Sequence, residues 1–420
     1  MNCNGVAQVA AMKYILLVGD GMGDLPVAEL GNKTPLEAAH KPAMDRLARE
    51  GELLLVRTVP EGYPPGSDVA NLSLLGYEPE KYYTGRAPLE AASMGVTIGP
   101  DEIAFRCNLV TVEYQGPERV IMRDFSAGHI PTEEAGQLIR AVQEACGNEL
   151  RTFYPGISYR HLLVHKEGFP ELTTVPPHDH MDRDVTEYYR MYLAVASFRE
   201  LMQKSAKVLA AHPVNARRKS RGQREANSLW PWGQGRPLQL EDFRQRYGIT
   251  GSLISAVDLL KGMAVCSGLA VINVAGATGY LDTNYEGKAR AALQSLQEKD
   301  FVLVHVEAPD EAGHQGLAAE KKQAIEDFDA RIVAPIVAEM ERRGEPFRLV
   351  VTMDHYTPIC RRTHEDWPVP MLLFDSRGVA EPSGRPYTEE QVKQAVAENG
   401  LHLPSGRRFF ARFLEEDSRP

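Results

Sequence analysis

The sequence predicts an α/β protein, with a mostly parallel sheet flanked by helices and interrupted by an inserted α+β domain. Three observations carry that expectation. The runs 14–18, 301–307 and 347–353 are short and apolar, the mark of strands buried on both faces. Each leads into an Asp, or an Asp with a His, where α/β sheets place ligands. Between about residues 98 and 250 the texture changes to alternating strands and amphipathic helices. The expected organisation is an N-terminal extension over 1–12, a discontinuous core over 13–98 and 250–420, and the insert over 99–249.

The bulk numbers suit this. The chain has 420 residues, 43% hydrophobic and 25% charged, enough for one large or two modest cores. A net charge of −10 argues against nucleic acid or an anionic membrane as the main partner. Five cysteines, Cys3, Cys107, Cys146, Cys266 and Cys360, form no C-x-x-C pair, which reads as a reduced, cytoplasmic protein. The N-terminus lacks the features of a signal peptide, and no run is long enough to span a membrane. Met12 is a candidate start.

The first strand ends in Gly19-Asp20-Gly21-Met22-Gly23-Asp24, which puts Asp20 at its carboxyl end. A helix is expected over 36–50, with Gly51 as its cap. Pro64-Pro65-Gly66-Ser67 is a tight turn that presents one hydroxyl, Ser67, ahead of an apolar helix. No Gly-x-Ser-x-Gly elbow surrounds it, so a hydrolase triad is not indicated. A serine is a poor nucleophile at neutral pH and needs a base or a metal to act. Arg86, after Thr84-Gly85, is a candidate anion clamp because its planar fork suits phosphate and carboxylate.

In the insert, 104–112 alternates like a strand, with 120–124 as its partner. A helix is expected over 132–146 and another over 193–211. The cluster His178-Asp179-His180 reads as a solvated loop. The basic stretch 212–227 lacks interleaved aromatics, so it reads as a loop or linker rather than a nucleic-acid patch. The run 228–235 reads as a return into the core. Beyond it come Lys261, a strand at 270–274 and a helix over 288–298.

Asp310 and His314 have i,i+4 spacing, so a helical turn would aim both at one ion. Asp354 and His355 follow the third buried strand, and His364 follows a short loop. Parallel strands would bring Asp20, Asp310, His314, Asp354, His355 and His364 to one rim. With Ser67 there are seven donors, enough for two cations. Mixed Asp/His ligation suits Mn2+ or Zn2+ better than an all-oxygen Mg2+ site. Two close metals commonly catalyse phosphoryl displacement.

Longer motifs carry a family resemblance. They are Val18-Gly19-Asp20-Gly21-Met22-Gly23-Asp24, Pro65-Gly66-Ser67-Asp68, Gly85-Arg86-Ala87-Pro88-Leu89-Glu90-Ala91, Ala308-Pro309-Asp310-Glu311-Ala312-Gly313-His314, and Asp354-His355 with His364. The chain resembles the archaeal-type, 2,3-bisphosphoglycerate-independent phosphoglycerate mutases of the alkaline phosphatase superfamily, from about residue 12 to about residue 374. The resemblance implies an alkaline-phosphatase-like core with a substrate-capping insert. It implies that Ser67 takes the phosphoryl group of 3-phosphoglycerate, and that the glycerate turns and is rephosphorylated at its 2-hydroxyl. One ion would be held by Asp310, His314 and His364, the other by Asp20, Ser67, Asp354 and His355. Mn2+ is the first expectation, with Zn2+, Co2+ or Mg2+ as alternatives. Arg86 would contact phosphate; Arg106, Asn108, His129 and Arg160 would hold glycerate; Lys261 would neutralise charge during transfer. A hinged cap would keep water from the phosphoserine.

Two local departures, Met353-Asp354-His355-Tyr356 and His178-Asp179-His180-Met181, remove no ligand. Tyr63-Pro64-Pro65-Gly66-Ser67 and Ala91-Ala92-Ser93-Met94-Gly95 also resemble a bacterial branch with members proposed to be homoserine kinases. A homoserine kinase using the same serine and metals is therefore the alternative.

Overall fold

The computed structural model describes residues 11–116, 119–166, 172–378 and 381–415. The extension expected over 1–12 lies outside them except for Ala11 and Met12. The chain divides into two compact units: one runs up to Tyr83 and resumes at Leu240, and the other is Thr84–Gln239.

In chain order the strands begin with β1 (Lys13–Gly19) and β2 (Glu52–Val56). The second unit supplies β3 (Ile103–Gln115), β4 (Arg119–Asp124), β5 (Arg151–Tyr154), β6 (Arg160–His165) and β7 (Ser228–Gly235). The first unit resumes with β8 (Gly251–Ile254), β9 (Ala270–Val271), β10 (Phe301–Val306), β11 (Phe347–Thr352), β12 (Val369–Asp375) and β13 (His402–Leu403).

The first unit is built on an eight-stranded sheet of order β13-β2-β12-β11-β1-β10-β8-β9. Every neighbouring pair is parallel except the two made by β12, so β12 alone runs against the rest. β1, β10 and β11 lie side by side and are buried along their whole length. Each fully buried Leu or Val there contributes about 1.5–3 kcal/mol. Helices Pro42–Glu50, Tyr285–Ser295 and Glu389–Asn399 pack on β12, β10 and β2. The helix expected over 36–50 is broken into Pro35–Ala38 and Pro42–Glu50, because Pro42 opens the second piece.

Register decides what meets at the rim. Val18 of β1 pairs with His305 of β10 on one side and Thr352 of β11 on the other. Just past these pairs the three strands end in Asp20, Glu307 and Asp354, with Asp20 on the middle strand and its N–H donating to the Val306 carbonyl at 2.9 Å.

In the second unit β3 pairs antiparallel with β4, β6 and β7, and β5 flanks β6. Helices Thr132–Cys146 and Ala196–Ala211 share its core with Phe105, Leu109 and Trp230. Two expectations are corrected here. Residues 228–235 do not return to the first unit; they form β7 against β3. The basic stretch 212–227 is not a loop throughout, since Pro213–Ser220 is a helix. His212 caps that helix by accepting from the Val214 N–H at 3.2 Å, and Pro213 stands at its first turn. Arg218, 2% exposed, donates to Glu134, to the Ala127 carbonyl and to the Arg224 carbonyl. Three acceptors offset the cost of burying one guanidinium, which charge counting along the chain does not reveal.

Candidate active site

Ser67 is the first residue of the helix Ser67–Leu74, with extended Gly66 as its N-cap. Its Oγ lies 3.2 Å from His355 Nε2. One turn on, Asn71 Nδ2 donates to the Ser67 carbonyl at 2.9 Å and to Asp354 Oδ2 at 2.8 Å. Asp354 Oδ1 accepts from the main-chain N–H of Gly21 at 3.2 Å and of His355 at 3.0 Å. Gly21 has φ +59°, and a Cβ there would come within 2.6 Å of Asp310 Oδ1, so the turn after β1 needs glycine.

All six expected Asp and His ligands converge. Asp20 Oδ1 is 3.4 Å from His355 Nε2, and His355 Nε2 is 3.6 Å from Asp354 Oδ2. Asp310 lies 3.3 Å from His314 Nε2 and 3.4 Å from His364 Nε2. Asp310 and His314 share the helix Ala308–Gln315, as their spacing predicts. His314 Nδ1 faces the Arg362 carbonyl at 3.0 Å, and His364 Nδ1 faces the Pro65 carbonyl at 3.2 Å. A carbonyl can only accept, so both rings donate from Nδ1, which leaves Nε2 as the nitrogen that would ligate a cation once it carries no proton. Those two Nε2 atoms are 2.8 Å apart.

This donor set fits divalent cations. Asp310, His314 and His364 offer ligand atoms within 4.8 Å of one another, as do Asp20, Asp310 and His355, and Asp20, His305 and Asp354. Asp20 Oδ1 is buried with no hydrogen-bond partner. Burial, with the charges of Asp354 and Asp310, raises Asp20 well above the usual carboxylate range. Asp310 is buried too, yet hydrogen bonds and charge from His314 and His364 hold it well below that range. Burial lowers His355 to about 4, leaving it neutral and able to donate a lone pair. Burial also opposes charge on His314, but Asp310 outweighs it and raises His314 to about 9.

Three contributors escaped sequence reasoning. Asn71 had a signal, its i,i+4 spacing from Ser67. Thr357 had none: its hydroxyl donates to Asp310 and lies 3.3 Å from His355 Nδ1. His305 sits inside the apolar run 301–307, where nothing in the local sequence marks it out. Lys261 stands on the helix Asp258–Ser267, which packs against the Ser67–Leu74 helix, with Asp258 at 3.6 Å from its Nζ.

In the second unit, the charges of Arg86 and Arg160 bear on Arg106. Burial lowers the Arg106 pKa, Glu90 opposes this, and the charges of Arg86 and Arg160 push it further down. Arg106 Nε donates to Glu90 at 3.0 Å, and its guanidinium stacks 4.1 Å from the Trp232 ring. Asn108 accepts from Trp232 Nε1 at 3.0 Å and donates to the Phe125 carbonyl at 3.2 Å. The Phe125 ring meets His129, Tyr159 and His178, and Arg160 lies over Tyr159. All five residues expected to bind substrate thus belong to this unit. His178, expected in a solvated loop, is half-exposed against the Phe125 and Trp232 rings.

Residues 48–215 match the family model described as 2,3-bisphosphoglycerate-independent phosphoglycerate mutase. The chain is 51% identical over 384 residues to the Methanosarcina barkeri protein of that name, covering 91% of this chain and 95% of that one. The chain belongs to the 2,3-bisphosphoglycerate-independent phosphoglycerate mutase family. A Geobacter sulfurreducens protein named "Probable 2,3-bisphosphoglycerate-independent phosphoglycerate mutase" is also 51% identical, over 93% of this chain and 98% of that one. A solved Pyrococcus horikoshii structure covers 97% of this chain and 98% of its own, at 28% identity and a TM-score of 0.79. The chain is thus an enzyme of the phosphoglycerate mutase class, and the homoserine kinase alternative is not favoured. Among the described residues no helix is long and apolar enough to cross a membrane.

Proposed function

We propose that this family member interconverts 3-phosphoglycerate and 2-phosphoglycerate through a phosphoserine at Ser67. The observation that carries the reading is the 3.2 Å approach of Ser67 Oγ to His355 Nε2, inside the cluster that holds Asp20 and Asp354. Asp310, His314 and His364 would hold one divalent cation; Asp20, Ser67, Asp354 and His355 would hold the other. Bound there, Mn2+, or Zn2+, Co2+ or Mg2+ in its place, would supply Lewis-acid stabilisation of the serine oxygen and of phosphoryl charge.

The chain's own residues do the rest. The Gly66 turn presents Ser67 Oγ to phosphorus, and Asn71 holds the Ser67 main chain at a fixed offset from Asp354. In the first half Ser67 gives up its hydroxyl proton, the Oγ–P bond forms as the bond from phosphorus to the 3-oxygen of glycerate breaks, and one proton is returned to that oxygen. In the second half the 2-hydroxyl gives up its proton and attacks phosphorus, the Oγ–P bond breaks, and one proton is returned to Ser67. Arg86 orients the phosphoryl group, and Lys261 neutralises its charge. Arg106, Asn108, His129 and Arg160 hold the free glycerate, whose carboxylate suits arginine forks. The reaction belongs in the cytoplasm on this reading, which rests on the scattered cysteines; Cys107, Cys146, Cys266 and Cys360 are all free.

The test is an enolase-coupled assay with 3-phosphoglycerate and Mn2+, beside Ser67→Ala. Turnover of roughly 1–1000 per second, lost in the variant, is expected. Mass spectrometry of the wild type with substrate should find phosphate on Ser67. No turnover in metal-replete protein would sink the proposal.

A further inference from the structure

One buried histidine next to Asp20 has no part in the reaction described above. His305 is fully buried in β10, with Val18 of β1 as its register partner. Its Nδ1 lies 3.1 Å from Glu307 Oε1. Its Nε2 faces Asp20 Oδ2 at 3.4 Å and Asp354 Oδ2 at 3.8 Å. Glu307 holds the ring on its Nδ1 side, and on the other side Nε2 lies against the two carboxylates at distances longer than a hydrogen bond.

The ring is itself braced. Glu307 accepts from Ser255 Oγ at 2.8 Å, from the Ala256 N–H at 3.2 Å and from Lys288 Nζ at 3.4 Å. Lys288 is fully buried and also donates to the His305 carbonyl at 2.9 Å. A buried lysine, glutamate and histidine thus form a line that ends on Asp20. The two oxygens of Asp20 have different neighbours: Oδ1 faces His355, on the Ser67 side, and Oδ2 faces His305. Asp20 and Asp354 are both buried. A ring fixed against both limits how far either carboxylate can turn.

We propose that His305 is a positioning residue for the cation held by Asp20, Ser67, Asp354 and His355. Braced by Glu307 and Lys288, it sets the angle at which Asp20 presents its free oxygen. It acts through Asp20 and touches neither substrate nor reacting atoms. The proposal rests on the two-ion reading above. Partners that orient a metal-binding carboxylate typically change affinity by roughly 10- to 100-fold when removed.

The experiment is calorimetric titration of Mn2+ into metal-free wild type, His305→Gln and Glu307→Gln, each checked for folding by circular dichroism. The wild type should bind two ions. In His305→Gln, one ion should weaken by roughly 10- to 100-fold while the other, at Asp310, His314 and His364, keeps its affinity. Glu307→Gln should weaken the same ion by less, and it replaces His305→Gln as the deciding variant if the latter does not fold. Fewer than two ions in the wild type would count against the two-ion reading itself, whatever the variants do. Two ions in the wild type, with both affinities unchanged in the folded variant, would overturn the role of His305. Equal weakening of both ions would also overturn it, because a general loosening of the fold is not selective.

Discussion

Asn71 and Asp354 are 283 positions apart in the chain, yet Asn71 Nδ2 donates to Asp354 Oδ2 at 2.8 Å. The same nitrogen donates to the Ser67 carbonyl. One amide therefore links the helix that presents Ser67 to the strand end that presents Asp354. A helix docked only by apolar contacts could slide or rotate slightly. A fully buried two-bond link resists both motions.

Asn71→Ala removes both donors and leaves Asp354 under-satisfied. The expected loss is about 1–3 kcal/mol. It should appear mainly as reduced kcat at saturating Mn2+, because the position of Ser67 suffers more than substrate uptake. Unchanged kcat in a folded variant would count against the link.

Metal binding should release protons. In the metal-free protein Asp310 outweighs burial and raises His314 to about 9. The Nε2 proton must leave before that nitrogen can ligate. Below about pH 9 the apparent affinity at Asp310, His314 and His364 should therefore rise by about tenfold per pH unit. Titrations in buffers of different ionisation enthalpy check this, and an affinity flat across that range contradicts it.

Lys321 is fully buried and donates to Asp24 Oδ2 at 2.8 Å, to the Gly23 carbonyl at 3.0 Å and to the Thr357 carbonyl at 2.8 Å. It pins the turn after β1 to the segment that carries His355. Lys321→Met leaves Asp24 charged and buried, which should cost about 3–5 kcal/mol. Adding Asp24→Asn should recover part of that loss in denaturant unfolding. No recovery would mean that the two carbonyl contacts, rather than the ion pair, carry the effect.

In the second unit, burial lowers His161 to about 3, from a usual value of 6.5. Its Nδ1 accepts from the Gly156 N–H at 3.0 Å. The folded pKa lies below the unfolded one, so this group's stabilisation is complete above about pH 6.5 and is lost as pH falls towards 3. By pH 5 the loss should reach about 2 kcal/mol. His161→Gln keeps an acceptor for Gly156 and should flatten that part of the urea-unfolding pH profile.

Much of the core was legible in the chain. Strands buried on both faces must be apolar throughout, so β1, β10 and β11 stood out, and a polar residue at each carboxyl end drew attention to Asp20, Asp310 and Asp354. The i,i+4 spacing of Asp310 and His314 was legible because a helix repeats locally. His305 was not: inside an apolar strand, a histidine that packs and one that faces a carboxylate look alike.

The sequence by itself determined the α/β class and pointed to a candidate nucleophile and candidate ligands, because these follow from local periodicity and short spacing; the family followed from the resemblance of its longer motifs. Tertiary structure decided the rest. The order β11-β1-β10 puts Asp20 at the end of the middle strand, and parallel pairing brings the ends of all three strands to one rim. Packing also decided that Arg218 is buried, that 228–235 joins β3, and that Asn71, Thr357 and His305 bear on the ligands. These outcomes depend on which distant segments share a desolvated space, where an unpaired polar group is costly and a paired one is held in place. No local pattern in the chain encodes that pairing.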